Sequence, residues 1–301
     1  MMHALAGVFA AAVTPLKPDF APDLDAIPLL LDFLVKRGCA GVLLLGTTGE
    51  GPSFAPEERT EIFRSALQIR AVHPGCKLLA GTGTPSLTET VSLTRTAFDL
   101  GCDGVVILPP YYYRKASDAG LFSYFREVIR RAVPADGSVL GYHFPATAGI
   151  GFSFDLLTRL KETFPRQFTG IKDSSHDPDF ARRLGEHFGQ DLLVMTGTDS
   201  LLQLALENHA SGCITAPANL ISPDLCRIWD GFQKGEDISG YQAHVSGVRH
   251  VLEKYGSFPP TLKTLLARCY GFPQWSVRPP LEDFRPEIAE RILQDWSSVT
   301  R

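Results

Sequence analysis

Eight short apolar runs, each followed by a stretch of helix length, recur along the first three quarters of this chain, and that alternation restricts its fold most. The runs are Gly7–Val13, Gly41–Leu45, Lys77–Ala80, Gly104–Leu108, Val139–Phe144, Phe168–Lys172, Leu192–Met195 and Gly212–Ala216. Each is near-continuously apolar, with no hydrophobic–polar alternation. That is the signature of parallel strands buried on both faces. The intervening segments carry helical spacing. Leu24–Arg37 has apolar residues at Ile27, Leu30, Leu31 and Leu34, and Glu57–Val72 follows Pro56, a good first-turn residue. Leu87–Leu100, Ala119–Val133, Phe154–Thr163, Asp179–Phe188 and Ser200–Ala210 complete the predicted set.

Eight strand–helix repeats predict an α/β fold, a closed (β/α)8 TIM barrel. An open doubly wound sheet would usually show a glycine-rich phosphate turn after its first strand, and Ala12–Lys17 has none. Beyond Pro223 the strand pattern stops. The remainder reads as helices interrupted at Gly256, Pro259–Pro260, Gly271 and Pro279–Pro280. The expected organisation is therefore a catalytic barrel over residues 1–223 and a C-terminal helical extension over 224–301.

Composition narrows the function. Net charge is −4 and no basic run occurs, which argues against nucleic acid and against an anionic membrane surface as partners. No stretch approaches the roughly 20 apolar residues of a membrane span. Leu5–Val13 lacks the basic start and cleavage site of a signal peptide. The six cysteines show no CxxC pairing and no zinc-like spacing to histidine, so they read as reduced thiols of a cytoplasmic protein. Neither a metal nor a cofactor has a candidate ligand set.

In such a barrel the chemistry sits at the C-terminal ends of the strands. Lys172 closes the sixth run, in Gly170-Ile171-Lys172-Asp173, and is one of only nine lysines. A lysine facing the barrel interior loses hydration, which disfavours its charged form. At an ordinary pKa of ~10.4, about 1 amine in 2,500 is neutral at pH 7, so a lower value makes it a usable nucleophile for a carbonyl. The competing reading is a surface lysine paired with Asp173. Tyr142, in the fifth run, would lie beside Lys172 if both face inward, where its hydroxyl could relay a proton. Otherwise it is a core aromatic with a carbonyl partner. His143 should point the other way by strand alternation. Gly46-Thr47-Thr48-Gly49-Glu50-Gly51 offers hydroxyls and close backbone approach for a carboxylate. Its plainer reading is an ordinary βα turn. Gly81-Thr82-Gly83-Thr84 reads as a phosphate nest or, more plainly, as a turn leading to a helix cap at Ser86. Tyr111-Tyr112-Tyr113 reads as a site cap, a subunit contact or a packed loop.

Taken in order, these motifs resemble one family. Gly46–Glu50 (GTTGE), Pro110-Tyr111-Tyr112, Tyr142–Pro145 (YxxP) and Gly170–Asp173 (GIKD) resemble the N-acetylneuraminate lyase and dihydrodipicolinate synthase superfamily over essentially the whole chain. The resemblance implies that Lys172 forms a Schiff base with pyruvate or another 2-keto acid. It implies that Tyr142 relays protons and that Thr47 and Thr48 hold the carboxylate, with Thr48 next to the relay tyrosine. Tyr112 matches a tyrosine donated across a subunit interface, and Gly197 and Ile214 match backbone positions lining the pyruvate pocket. No cofactor is implied, and a homo-oligomer (dimer or tetramer) is. One departure matters. The synthases carry an arginine shortly after YxxP that binds a second carboxylate, and here Thr147 stands in its place. The Ala146-Thr147-Ala148-Gly149 run and Tyr255-Gly256-Ser257 are similar to the 2-keto-3-deoxygluconate aldolases, in which Thr147 and Tyr113 would meet sugar hydroxyls. The expected activity is therefore a pyruvate-dependent aldolase acting on a 2-keto-3-deoxy sugar acid. The alternatives are dihydrodipicolinate synthase, a keto-deoxy acid dehydratase, and a non-catalytic keto-acid-binding regulator.

Overall fold

The computed structural model describes residues 3–300. Its strands are β1 (Gly7–Ala11), β2 (Gly41–Leu44), β3 (Lys77–Gly81), β4 (Gly104–Ile107), β5 (Ser138–His143), β6 (Phe168–Asp173), β7 (Leu193–Thr196) and β8 (Gly212–Thr215). All pair in parallel in sequence order, and β8 returns to β1, so the sheet closes into a barrel. Every strand matches one of the apolar runs to within two residues at either end.

The continuous apolar character has a direct cause, because alternate residues of each strand serve two different cores. Phe9, Leu43, Leu79, Val106, Leu140, Tyr142, Met195 and Ile214 fill the barrel interior. Val8, Val42, Leu78, Val105, Val139, Ile171 and Val194 face outward and pack under the helices. Those helices are α1 (Ala26–Lys36), α2 (Pro56–Ala66), α3 (Leu87–Leu100), α4 (Asp118–Ala132), α5 (Pro145–Ala148), α6 (Phe154–Thr163), α7 (Pro178–Phe188), α8 (Leu202–Glu207) and α9 (Ala218–Lys234). Local chemistry sets their starts. Ser86, Ser117 and Ser153 cap α3, α4 and α6 through side-chain oxygens, and Asp177 caps α7 by accepting from the amides of Asp179 and Phe180.

Three segments differ from expectation. The helix expected over Glu57–Val72 tightens after Ala66 into a 3₁₀ turn, Leu67–Ala71. The segment Ser200–Ala210 holds only the short α8 behind another such turn. Helix α9 runs across residue 223. It bends at Ile221, so Pro223 falls in the first turn of its second half, where a missing N–H costs nothing. Three further helices follow: α10 (Ser239–Glu253), α11 (Phe258–Tyr270) and α12 (Pro286–Val299). Two buried ion pairs tie this region to the barrel. Arg249 of α10 meets Asp199, which also accepts from the Thr215 hydroxyl, and Lys263 of α11 meets Glu50 at 2.6 Å. No helix among the described residues is long and apolar enough to cross a membrane.

Candidate active site

Adjacent strands in register put Tyr142 of β5 directly beside Lys172 of β6, and Lys172 beside Met195 of β7. Tyr142 and Met195 belong to the interior cluster, so Lys172 points into the mouth of the barrel. It is 3% exposed, and its Nζ lies over the Tyr142 ring, 4.1 Å from the centroid. A cation over an aromatic face is attracted by the ring quadrupole. The reading of Lys172 as a surface lysine paired with Asp173 is corrected. Strand alternation sends Asp173 to the opposite face, where its carboxylate accepts from the Ser175 amide.

His143 and Asp173 are also register partners, on the outer face of the sheet. His143 stacks on Phe180 of α7 at 4.3 Å, and its Nδ1 accepts from the Phe152 amide. Burial pulls its pKa down to about 4, with Asp177 opposing. Burial pushes the Asp173 carboxyl up to about 6, against its Ser175 hydrogen bonds. Both groups lie behind the site and contribute nothing to its interior.

The Tyr142 hydroxyl stands 3.4 Å from the Thr47 hydroxyl. This corrects the expectation that Thr48 lies next to the tyrosine. The turn closes on itself through Gly51 N to Gly46 O, which leaves Thr47 exposed at the cavity and tucks Thr48 away, 7% exposed. Across the site, Gly197 follows β7. A Cβ there would lie 2.0 Å from Ser174 Oγ and 3.1 Å from Lys172 Cε, so glycine lets Ser174 and the lysine stem pack against the backbone here. Ile214 fills the barrel floor on β8. Beside Tyr142 and Thr47 lies a small cavity of about 30 Å³, walled by Leu43, Leu45, Pro52, Val106 and Leu108. A larger groove of about 570 Å³ lies at the other end of the barrel, around Ala6, Leu193 and Ser211, and includes none of these groups.

The profile of the dihydrodipicolinate synthetase family matches residues 4–296. The chain belongs to that family. It is 37% identical over 278 residues to a protein described as an uncharacterized DapA-like lyase of Chloroflexus aurantiacus, covering 91% of this chain and 90% of that one. It is 32% identical over 294 residues to the 4-hydroxy-tetrahydrodipicolinate synthase of Thermus thermophilus, covering 95% and 94%. Among solved structures, the prophage protein YagE of Escherichia coli, crystallised with pyruvate, superposes with a TM-score of 0.91 at 25% identity, covering 98% of both chains. The superfamily reading of the motifs therefore holds, and the chain is an enzyme of the lyase class.

In this family member the structure brings Lys172, Tyr142, Thr47 and Gly197 around one barrel mouth, with Ile214 in the interior cluster and Thr48 buried in the turn beside Thr47. Three expected residues stand apart. Tyr112 and Tyr113 are 76% and 70% exposed, with their rings edge to face at 5.2 Å. Thr147 is exposed on α5. None of the three hydrogen-bonds to Lys172 or Tyr142 among the described residues. Sequence reasoning missed one feature here and named another without placing it. Lys263 is fully buried, and the signal was a charge set in the apolar run Leu262–Leu266. Arg114 lies across Gly149: a Cβ at that glycine would meet Arg114 Cδ at 2.5 Å. The sequence offers Arg114 and Lys115, close to Tyr113, as basic side chains that could reach the loop after β5, and it is Arg114 that lies on Gly149.

Proposed function

We propose that this protein is a class I aldolase that joins pyruvate to an uncharged aldehyde, or cleaves the corresponding 2-keto-3-deoxy sugar acid. The observation that carries it is the buried Lys172 amine over the face of Tyr142, whose hydroxyl meets that of Thr47 at the edge of a small cavity. Lys172 attacks C2 of the keto acid, and loss of water leaves an iminium. The C3–C4 bond then breaks and its electron pair enters the iminium, giving an enamine. The C4 hydroxyl proton leaves by way of Tyr142, and the aldehyde departs. Protonation at C3 and hydrolysis release pyruvate and restore the amine. Thr47 and Thr48 hold the carboxylate; Thr47 also shares the proton path, since its hydroxyl faces that of Tyr142. The backbone at Gly197 and Ile214 lines the pyruvate end, and Thr147 and Tyr113 meet the hydroxyls of the aldehyde half.

The exposed Tyr112 ring supports a homo-oligomer, dimer or tetramer, in which the apolar cavity beside Thr47 receives the partner's Tyr112. An enzyme of this small-molecule chemistry, with six unpaired cysteines, fits the cytoplasm. The likeness to the Thermus thermophilus synthase and the position of Arg114 over Gly149 favour a second reading, condensation with an aldehyde that carries its own carboxylate. Borohydride reduction in the presence of pyruvate tests the shared chemistry. One pyruvyl adduct on the peptide containing Lys172 supports it, and labelling elsewhere rejects it. A panel of aldehydes offered with pyruvate separates the two readings.

A further inference from the structure

The turn that carries Thr47 and Thr48 is held in shape from the far end of the chain. Glu50 closes that turn in the left-handed region, at φ 57°, which costs a residue with a side chain free energy unless the surroundings impose it. Its amide donates to Thr47 O at 3.1 Å. Its carboxylate is 3% exposed and has a donor on each oxygen: Lys263 Nζ on Oε1 at 2.6 Å and the Arg278 amide on Oε2 at 2.8 Å. Lys263 is itself fully buried and donates a second bond to Ser276 O at 2.7 Å. The Arg278 guanidinium then grips Glu58 at the start of α2, and the carbonyls of Ser53 and Phe20. Behind the turn there is no slack. Thr14 donates to Gly49 O at 2.7 Å, and a Cβ at Gly51 would fall 2.0 Å from Leu45 O.

We propose that Lys263 is a positioning residue for the 2-keto acid: through its buried pair with Glu50 it fixes the Thr47–Thr48 turn that receives the carboxylate. The inference rests on the aldolase reading of that turn. A buried ion pair is a poor device for stability alone, since apolar residues of similar volume often serve equally well. Here the pair does what apolar packing does not. It fixes direction at both carboxylate oxygens, three residues from the hydroxyl that faces Tyr142.

The test is borohydride trapping of full-length protein over a range of pyruvate concentrations, with thermal denaturation of each variant alongside. Lys263→Met alone leaves Glu50 buried and unpaired, and it is expected to lower the melting temperature sharply. Glu50→Gln/Lys263→Met removes both charges and should recover most of that loss. In this double variant, half-saturation by pyruvate should still rise about tenfold or more, the effect of one or two lost hydrogen bonds to a charged ligand. Adduct formation at saturating pyruvate should persist, because Lys172 and Tyr142 are untouched. A folded double variant with wild-type half-saturation overturns the inference and leaves the aldolase reading intact. Glu50→Gln, which keeps the side-chain shape and the Arg278 bond, carries the same test where the other variants do not fold: a several-fold rise supports the inference and an unchanged value overturns it. Absence of any adduct in the wild type overturns the aldolase reading, and this inference with it.

Discussion

The Lys172 amine and the Tyr142 ring meet face-on at 4.1 Å because their strands pair in register, residue opposite residue. The contact is therefore set by the barrel strands and not by a loop. An amine held there, 3% exposed, is poised for a carbonyl that enters from the cavity side. Lys172→Met keeps the apolar stem and removes the amine. It is expected to abolish both turnover and pyruvate trapping while the melting temperature stays within a few degrees of wild type. Turnover surviving in that variant rejects the Schiff-base role.

The 3.4 Å approach of the Thr47 and Tyr142 hydroxyls distinguishes the two threonines. Tyr142→Phe removes only the acidic proton and should lower kcat by about 10²–10⁴-fold, the range for a positioned acid–base group. Thr47→Val removes the hydroxyl that faces the tyrosine, and should lower kcat about tenfold as well as raising KM. Thr48→Val should act mainly on KM. Equal kcat losses in the two threonine variants would reject the assignment of Thr47 to the proton path. The readout is steady-state kinetics with pyruvate saturating and limiting.

Behind the site, His143 and Asp173 titrate in opposite senses. His143 has its pKa lowered from 6.5 to about 4 by burial, so the fold favours the neutral ring. Its contribution is fully present above pH 6.5 and is lost as pH falls through 4, on the order of 3 kcal/mol in all. Asp173 is raised from 3.8 to about 6, again by burial. Its contribution is present below pH 3.8 and is lost as pH rises through 6, also on the order of 3 kcal/mol. Between pH 4 and 6.5 the two slopes nearly cancel. Asp173→Asn removes one of them, so urea unfolding of this variant should show stability falling steadily from pH 6.5 to 4 where the wild type is flat. Its advantage over wild type should grow as pH rises from 4 to 7. Parallel pH profiles for the two proteins would contradict the assignment.

The barrel was legible in the sequence because a doubly buried parallel strand leaves an unbroken apolar run, and eight such runs admit few arrangements. The juxtaposition of Tyr142 and Lys172 was legible because strand order and alternation fix which neighbours share a face: Tyr142 and Lys172 inward, His143 and Asp173 outward. The assignment of Thr48 to the tyrosine failed because a six-residue turn does not alternate. Its hydroxyl directions depend on the Gly46–Gly51 closure and on the left-handed Glu50. Lys263, Arg249 and Arg278 escaped notice because their partners lie 50 to more than 200 residues away in sequence. Long-range ion pairs leave no periodic trace, only a charge in an unexpectedly apolar neighbourhood.

The aldehyde is the remaining question, and the loop after β5 decides it. Thr147 stands exposed on α5, where the synthases carry their carboxylate-binding arginine. A neutral hydroxyl does not supply the bidentate fork that a second carboxylate needs. A lost charge-assisted pair typically costs about 2–5 kcal/mol, or factors of tens to thousands in kcat/KM. On this basis the enzyme should turn over glyceraldehyde with pyruvate in preference to aspartate semialdehyde. Arg114 sharpens the experiment, because its stem already lies on Gly149, two residues beyond Thr147. If that guanidinium serves the semialdehyde, Arg114→Gln should collapse kcat/KM for that substrate by a hundredfold or more and leave glyceraldehyde nearly unchanged. If the pocket is built for sugar-acid hydroxyls, Arg114→Gln should affect both substrates alike. Thr147→Val should then lower kcat/KM for glyceraldehyde about tenfold, the cost of one unmade hydrogen bond. Measuring kcat/KM for both aldehydes in the wild type and these two variants decides the matter. A strong wild-type preference for the semialdehyde overturns the sugar-acid assignment while leaving the Lys172 chemistry in place.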